Sequence, residues 1–265
     1  MRICSDVDSL RRLLAARRWP RKEARRGGEG FVTGLDQWDE ALPRGCFRNG
    51  AVHELLTPGP INFPRSIALI LARAAQRGDA REETSVIAWS DPGRQLYLPA
   101  LAAKGIDPRR LILLRCQQRN EELWALAECL RCPGVCATVA AVGRLSRVEA
   151  RRLQLAAEEG GGVGLLMRST ESGKGDAMHS AGGHSTGRSP ATKVAGHYAA
   201  ATRWLVQPMP GSDRAQRWRL QLLHGHGGQG HRVLLLEVDR ETDAVRVSAA
   251  LADRSALSPA QRATA

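Results

Sequence analysis

Apolar positions along the chain switch between two periods, and the switches mark out the elements. Leu10, Leu13 and Leu14, with Arg17 one turn on, fall at helical spacing behind Asp8 and Ser9, which can cap the first turn. An amphipathic helix therefore opens the chain, and Pro20 ends it. Gly27-Gly28-Glu29-Gly30 supplies a hinge, and the globular body is expected to begin near Phe31. From there short β-rich apolar runs at 51–56, 85–89, 111–115, 135–142 and 163–167 alternate with helical patterns at 66–77, 94–104, 121–130 and 146–159. Such alternation predicts an α/β fold with a mostly parallel central sheet flanked by helices. The strands are apolar enough to be buried on both faces.

Residues 169–192 break the pattern: Ser, Thr, Gly, Lys and His dominate, with hardly any large apolar side chain, so a flexible loop is expected there. After it, strands are expected at 201–206, 217–223, 233–238 and 245–248, with a Gly-rich hairpin turn over 225–230. Trp218, Leu220 and Leu222 alternate with Arg217, Arg219 and Gln221, as in a half-buried antiparallel strand. The expected organisation is a basic amphipathic N-terminal helix over 1–26, one α/β domain over 27–250 with antiparallel strands at its C-terminal end, and a disordered tail over 251–265.

Composition adds a partner class. With 265 residues, 43% of them hydrophobic, the chain can bury a sizeable core. Lys and Arg number 39 against 27 acids, a net charge of +12, and 35 of the cations are Arg. Residues 1–26 hold nine cations and three acids, so half the net charge, +6, sits in a tenth of the chain. Arg11, Arg12, Arg17 and Arg18 there, and Arg144, Arg147, Arg151 and Arg152 on and before the 146–159 helix, are the candidate contacts to nucleic acid or a protein partner. No apolar stretch approaches the roughly 18 residues of a membrane span, and the start lacks a secretory apolar middle, so a cytoplasmic protein with no membrane partner is expected. Six cysteines are too few and too unevenly spread for a disulfide framework.

Nucleotide chemistry belongs at the end of the first buried strand, where loop amides and a helix N-terminus converge. The segment Thr57-Pro58-Gly59-Pro60-Ile61-Asn62-Phe63-Pro64-Arg65-Ser66 offers one glycine and three prolines. Proline removes the N–H donors that would wrap a phosphate, and Arg65-Ser66 only imitates the Lys-Ser that a working loop carries. Thr57, Pro58, Gly59, Arg65 and Ser66 thus read as a degenerate phosphate loop, with no cofactor expected. The metal-holding carboxylate is missing too: Val135 to Gly143 ends in glycine and Arg144, and no acid follows until Glu149. Asp91 could polarise a water, although Ser90-Asp91-Pro92-Gly93 suits a turn. No catalytic residue is expected.

Two other constellations read as structural, the cysteines as buried packing and the histidines as an exposed turn. Cys129, Cys132 and Cys136 lie close in sequence but lack the fourth ligand zinc requires, and His224, His226 and His231 flank a glycine-rich turn with no acid or thiol beside them. The six tryptophans are spread over separate elements as core or interface anchors, not gathered into a platform for bases.

Several segments together resemble the RecA fold, and more closely the ImuA family, the RecA-related accessory proteins of bacterial mutagenic translesion synthesis, themselves similar to the SulA division inhibitors. They are Thr33-Gly-Leu-Asp36, Leu42-Pro-Arg-Gly45, Gly50-Ala-Val-His-Glu-Leu-Leu56, Arg151-Arg-Leu-Gln-Leu-Ala-Ala-Glu158 and Ala200-Ala-Thr-Arg-Trp204, spanning 31 to about 250 in this order. Arg44 and Cys46-Phe-Arg-Asn49 depart from the family's glycine-rich, Trp-Pro turn. The resemblance places the 169–192 loop where RecA carries its second DNA-contacting loop, the first being reduced to Gly143–Ser146. It implies a non-catalytic adaptor in damage-induced synthesis, joining a Y-family-like polymerase homologue (ImuB) and an error-prone replicative-type polymerase. RecA and single-stranded DNA are further implied partners. The alternatives are a SulA-type division inhibitor and an ATP-dependent, recombinase-like DNA-binding ATPase.

Overall fold

A computed structural model describes residues 2–16, 30–58, 64–79, 84–170, 199–225 and 232–252. Its elements in chain order are β1 (Arg2–Cys4), α1 (Val7–Ala16), β2 (Gly30–Phe31), α2 (Asp36–Asp39), β3 (Phe47–Arg48), β4 (Ala51–Thr57), α3 (Arg65–Arg77), β5 (Val86–Ser90), α4 (Leu98–Ala103), β6 (Leu111–Leu114), α5 (Arg119–Arg131), β7 (Val135–Ala141), α6 (Arg147–Gly160), β8 (Val163–Ser169), β9 (Thr202–Met209), β10 (Ala215–Gly225), β11 (Arg232–Asp239) and β12 (Val245–Ala252). Ten strands form one sheet in the order β1-β6-β5-β7-β8-β4-β9-β10-β11-β12, and β2 and β3 form a small antiparallel pair.

The pairs from β1 to β9 are all parallel, and those from β9 to β12 antiparallel. The central strands are buried on both faces because helices cover both. Leu55, Ile87, Val139 and Leu165 point into one core with α2 and α3; Val52, Ala88, Ala140 and Leu166 point into the other, with α1, α5 and α6. Trp218, Leu220 and Leu222 of β10 join the first core, so the antiparallel extension continues the wall facing α3. The expected α/β architecture is what the chain adopts.

Four boundaries differ from the sequence reading. The body does not begin near Phe31: Arg2–Cys4 is the edge strand beside β6, and Leu10 of α1 is buried against the α5 side of the sheet. The signal was weak because three residues carry no measurable period. The strand expected at 201–206 runs on to Met209, pairing parallel with β4 and antiparallel with β10. The 94–104 helix is only Leu98–Ala103: Asp91 accepts the Gln95 and Leu96 N–H groups and Arg94 takes φ 52°, a turn that delays the helix. β12 extends to Ala252, two residues into the segment expected as tail. Most of the 169–192 loop, the Gly27–Glu29 hinge, the turn over 226–230 and residues beyond Ala252 lie outside the described residues.

Candidate functional site

The sheet brings the ends of β4, β5, β7 and β8 to one edge, where α3 starts. Thr57 closes β4: its carbonyl accepts the Thr170 N–H at 2.9 Å, and its hydroxyl reaches the Arg168 carbonyl at 3.5 Å. Pro58 follows, exposed, and Gly59 lies outside the described residues. Pro64 precedes α3 without a side-chain cap, Arg65 donates to the Gln95 side chain, and Ser66 meets Gln216 at 3.5 Å. Arg65 is thus drawn across to the β5–α4 loop. Asp91, buried at the end of β5, spends Oδ1 on the Gln95 and Leu96 N–H groups and faces the Arg115 guanidinium at 3.6 Å. That makes it a turn-forming residue, as its sequence context suggests.

The end of β7 carries no acid, and the following loop is organised by α6. Ser146 caps α6 by accepting the Glu149 N–H, while the Glu149 carboxylate accepts the Ser146 N–H at 2.6 Å. These bonds, together with Arg119, hold the Glu149 carboxyl below its usual range. Arg119 also donates to the Arg144 carbonyl at 2.6 Å, pinning the loop to α5.

The basic candidates fall into two groups. On α1, Arg11 stacks over the Trp124 ring of α5 at 4.7 Å and lies 3.7 Å from Asp8, and Arg12 is exposed. Arg17 and Arg18 are outside the described residues. Arg144, Arg147, Arg151 and Arg152 are all exposed, on or just before α6. Both helices pack on α5, which stands between the two groups, so they form two patches rather than one ridge.

Two arrangements escaped the sequence reading. Glu54 of β4 binds Arg168 of β8 at 2.6 Å and Arg203 of β9 at 2.7 Å, tying together the two strands that bracket residues 171–198. On the opposite face His53 Nε2 lies 3.0 Å from the Arg48 carbonyl and Nδ1 lies 2.8 Å from the Thr202 hydroxyl. A carbonyl only accepts, so Nε2 carries the proton and Nδ1 accepts from Thr202. Burial pushes the His53 pKa down to about 4, so the ring is neutral. Adjacent polar residues in an otherwise apolar strand were the available signal.

His53 sits in an aromatic cluster. Phe47 lies 5.1 Å from its ring and 6.2 Å from Trp204, and Trp38 meets Trp204 edge-on at 6.1 Å. Thr33 and Gly34 hold Asp39 at the start of this unit, Thr33 N–H donating at 2.8 Å. Gln154 of α6 accepts the Val52 N–H at 2.9 Å. The segments at 33–36, 50–56, 151–158 and 200–204 therefore converge around β4.

The chain as a whole is similar to known proteins. "Protein ImuA" of Caulobacter vibrioides, in strains NA1000 / CB15N and ATCC 19089 / CIP 103742 / CB 15, is 26% identical over 198 residues, covering 72% of this chain and 76% of that protein. The crystal structure of the RadB recombinase superposes with a TM-score of 0.56 at 13% identity, over 82% of this chain and 98% of that one. By sequence the chain is ImuA-like, and by fold RecA-like. No family model matches it.

In this ImuA-like chain the three cysteines that lie close in sequence, Cys129, Cys132 and Cys136, do not all converge. Cys136 faces the α3-side core and Cys129 and Cys132 the α5 side, and burial raises the Cys129 thiol well above its ordinary value. Among the described residues no group of three or more His, Cys, Asp or Glu gathers as a metal site. His226 and His231 lie outside them. Among the same residues no helix is long and apolar enough to cross a membrane.

Proposed function

We propose that this chain is a non-catalytic RecA-like adaptor in damage-induced, error-prone translesion DNA synthesis. It joins a Y-family-like polymerase homologue (ImuB) and an error-prone replicative-type polymerase at damaged DNA, in the cytoplasm, with RecA and single-stranded DNA as further contacts. The observation that carries this reading is the residue supply at the phosphate edge. Thr57 to Ser66 holds prolines at 58, 60 and 64 and no lysine, Arg65 is engaged by Gln95, and β7 runs into Val142-Gly143-Arg144 with no carboxylate. On this reading the prolines deny a triphosphate its ring of N–H donors, and β7 ends without the carboxylate that would hold magnesium.

The test pairs two measurements on the full chain. Titration with ATP and Mg²⁺ should give no saturable binding, and co-expression should yield a complex with the Y-family-like homologue. Nucleotide binding that Arg65→Ala abolishes would replace this reading with the recombinase-like ATPase. Division arrest on expression, with no polymerase complex, would replace it with the SulA-type inhibitor.

A further inference from the structure

The outer face of α6 combines features that helix stability does not account for. Arg144 and Arg147 flank its N-terminus beside the capping Glu149, and Glu158 and Glu159 occupy its last turn; Glu149 apart, this is the reverse of what the helix dipole favours. The glutamates are answered within the protein, Glu159 by Arg131 at 3.2 Å, and Glu158 by Gln154 at 3.0 Å and by Arg151 at 3.9 Å. The guanidinium groups of Arg144, Arg147 and Arg152 meet no carboxylate among the described residues. Val148, a residue of modest helix propensity, stands 76% exposed one position into that basic turn, and Leu155, 46% exposed, lies two turns along the same face. Of the exposed large apolar side chains among the described residues, only these two share an element.

We propose that this face docks an acidic segment of a partner protein, which seats apolar side chains on Val148 and Leu155 while its carboxylates meet Arg144, Arg147, Arg151 and Arg152. The positive end of the helix dipole adds to the arginines' field there. Phosphate backbone would use the arginines but gain nothing from covering Val148 and Leu155, so the apolar pair distinguishes a protein occupant from DNA. The face deepens the adaptor reading and rests on it for the partner being a protein.

The full chain and its Val148→Ser/Leu155→Ser and Arg147→Ala/Arg151→Ala variants are titrated with three labelled probes: a helical peptide of Leu at i, i+3 and i+7 with Glu elsewhere, the same peptide with Ser for Leu, and oligo(dT). The Leu-Glu peptide should bind the wild type. Either variant should weaken it about tenfold, and the serine variant should leave oligo(dT) binding unchanged. The substituted side chains are exposed, so unchanged thermal unfolding confirms an intact fold. Absence of Leu-Glu binding, equal binding of both peptides, indifference to the serine substitutions, or parallel loss of oligo(dT) binding each overturns the docking face. Co-purification of the wild type with the polymerase homologue reports separately on the adaptor reading: its failure there removes the adaptor, whereas a complex that survives both variants removes only the α6 face.

Discussion

The Glu54 carboxylate accepts the Arg203 Nε–H at 2.7 Å with both side chains almost sealed from water, Glu54 4% and Arg203 2% exposed. Arg168 completes the group from the other side at 2.6 Å. Two guanidinium groups share one carboxylate, so the glutamate is the element whose loss leaves buried charge unanswered. Glu54→Gln is expected to lower unfolding free energy by about 3–5 kcal/mol in urea titrations. A change below about 1 kcal/mol would show that the arginines find other partners.

His53 makes stability depend on pH. Its folded-state pKa is held at about 4 against an ordinary 6.5, so between these values the unfolded chain binds a proton that the folded chain refuses. Its contribution is complete above pH 6.5 and declines as pH falls towards 4, by up to about 3 kcal/mol across that span. His53→Asn, though less stable overall, should show a flatter dependence over this window in thermal unfolding. An unchanged slope would assign it to other groups.

Gly160 and Gly161 are adjacent at the end of α6 but needed for different reasons. A Cβ on Gly160 would stand 2.0 Å from the Leu130 carbonyl oxygen, which is backbone of α5 and cannot swing away. Gly161 takes φ 76° as the left-handed cap. Gly160→Ala should cost about 3 kcal/mol, at the upper end of overpacking, and Gly161→Ala about 1 kcal/mol. Calorimetry of the two variants checks the order.

The N-terminal segment is structural as well as basic. Deleting residues 1–16 would uncover the β6 edge and remove Leu10, which is 1% exposed. Loss of that side chain alone is worth about 2–5 kcal/mol, and the bare edge invites self-association, so size-exclusion chromatography should show aggregates. Arg11→Ala/Arg12→Ala spares the fold. If these residues meet single-stranded DNA, the dependence of log K on log salt should become shallower by a little over one, at about 0.7 for each phosphate that is no longer neutralised. An unchanged slope places DNA elsewhere.

Burial on both faces made the parallel core legible: Val86 to Trp89 and Leu111 to Leu114 announce themselves because every side chain must be apolar. The α6 boundaries were legible for a similar reason, with Ser146 and Glu149 forming a capping box. The β1 edge was not, since pairing of Arg2–Cys4 with β6 rests on backbone bonds that any residue can make. The arginines were individually visible, but their division into two patches depends on α5 packing between α1 and α6.

Local pattern alone therefore settled the α/β class, most of the helices and strands from β4 onward, and the proline-rich, lysine-free stretch after β4, because each follows from side-chain period or backbone chemistry within a few residues. Only the tertiary structure decided that Glu54 meets Arg168 and Arg203, that buried His53 meets Thr202, and that Val148 and Leu155 remain uncovered. Those outcomes join residues more than a hundred positions apart or depend on what fails to pack above a helix, and sheet order, not sequence spacing, governs both.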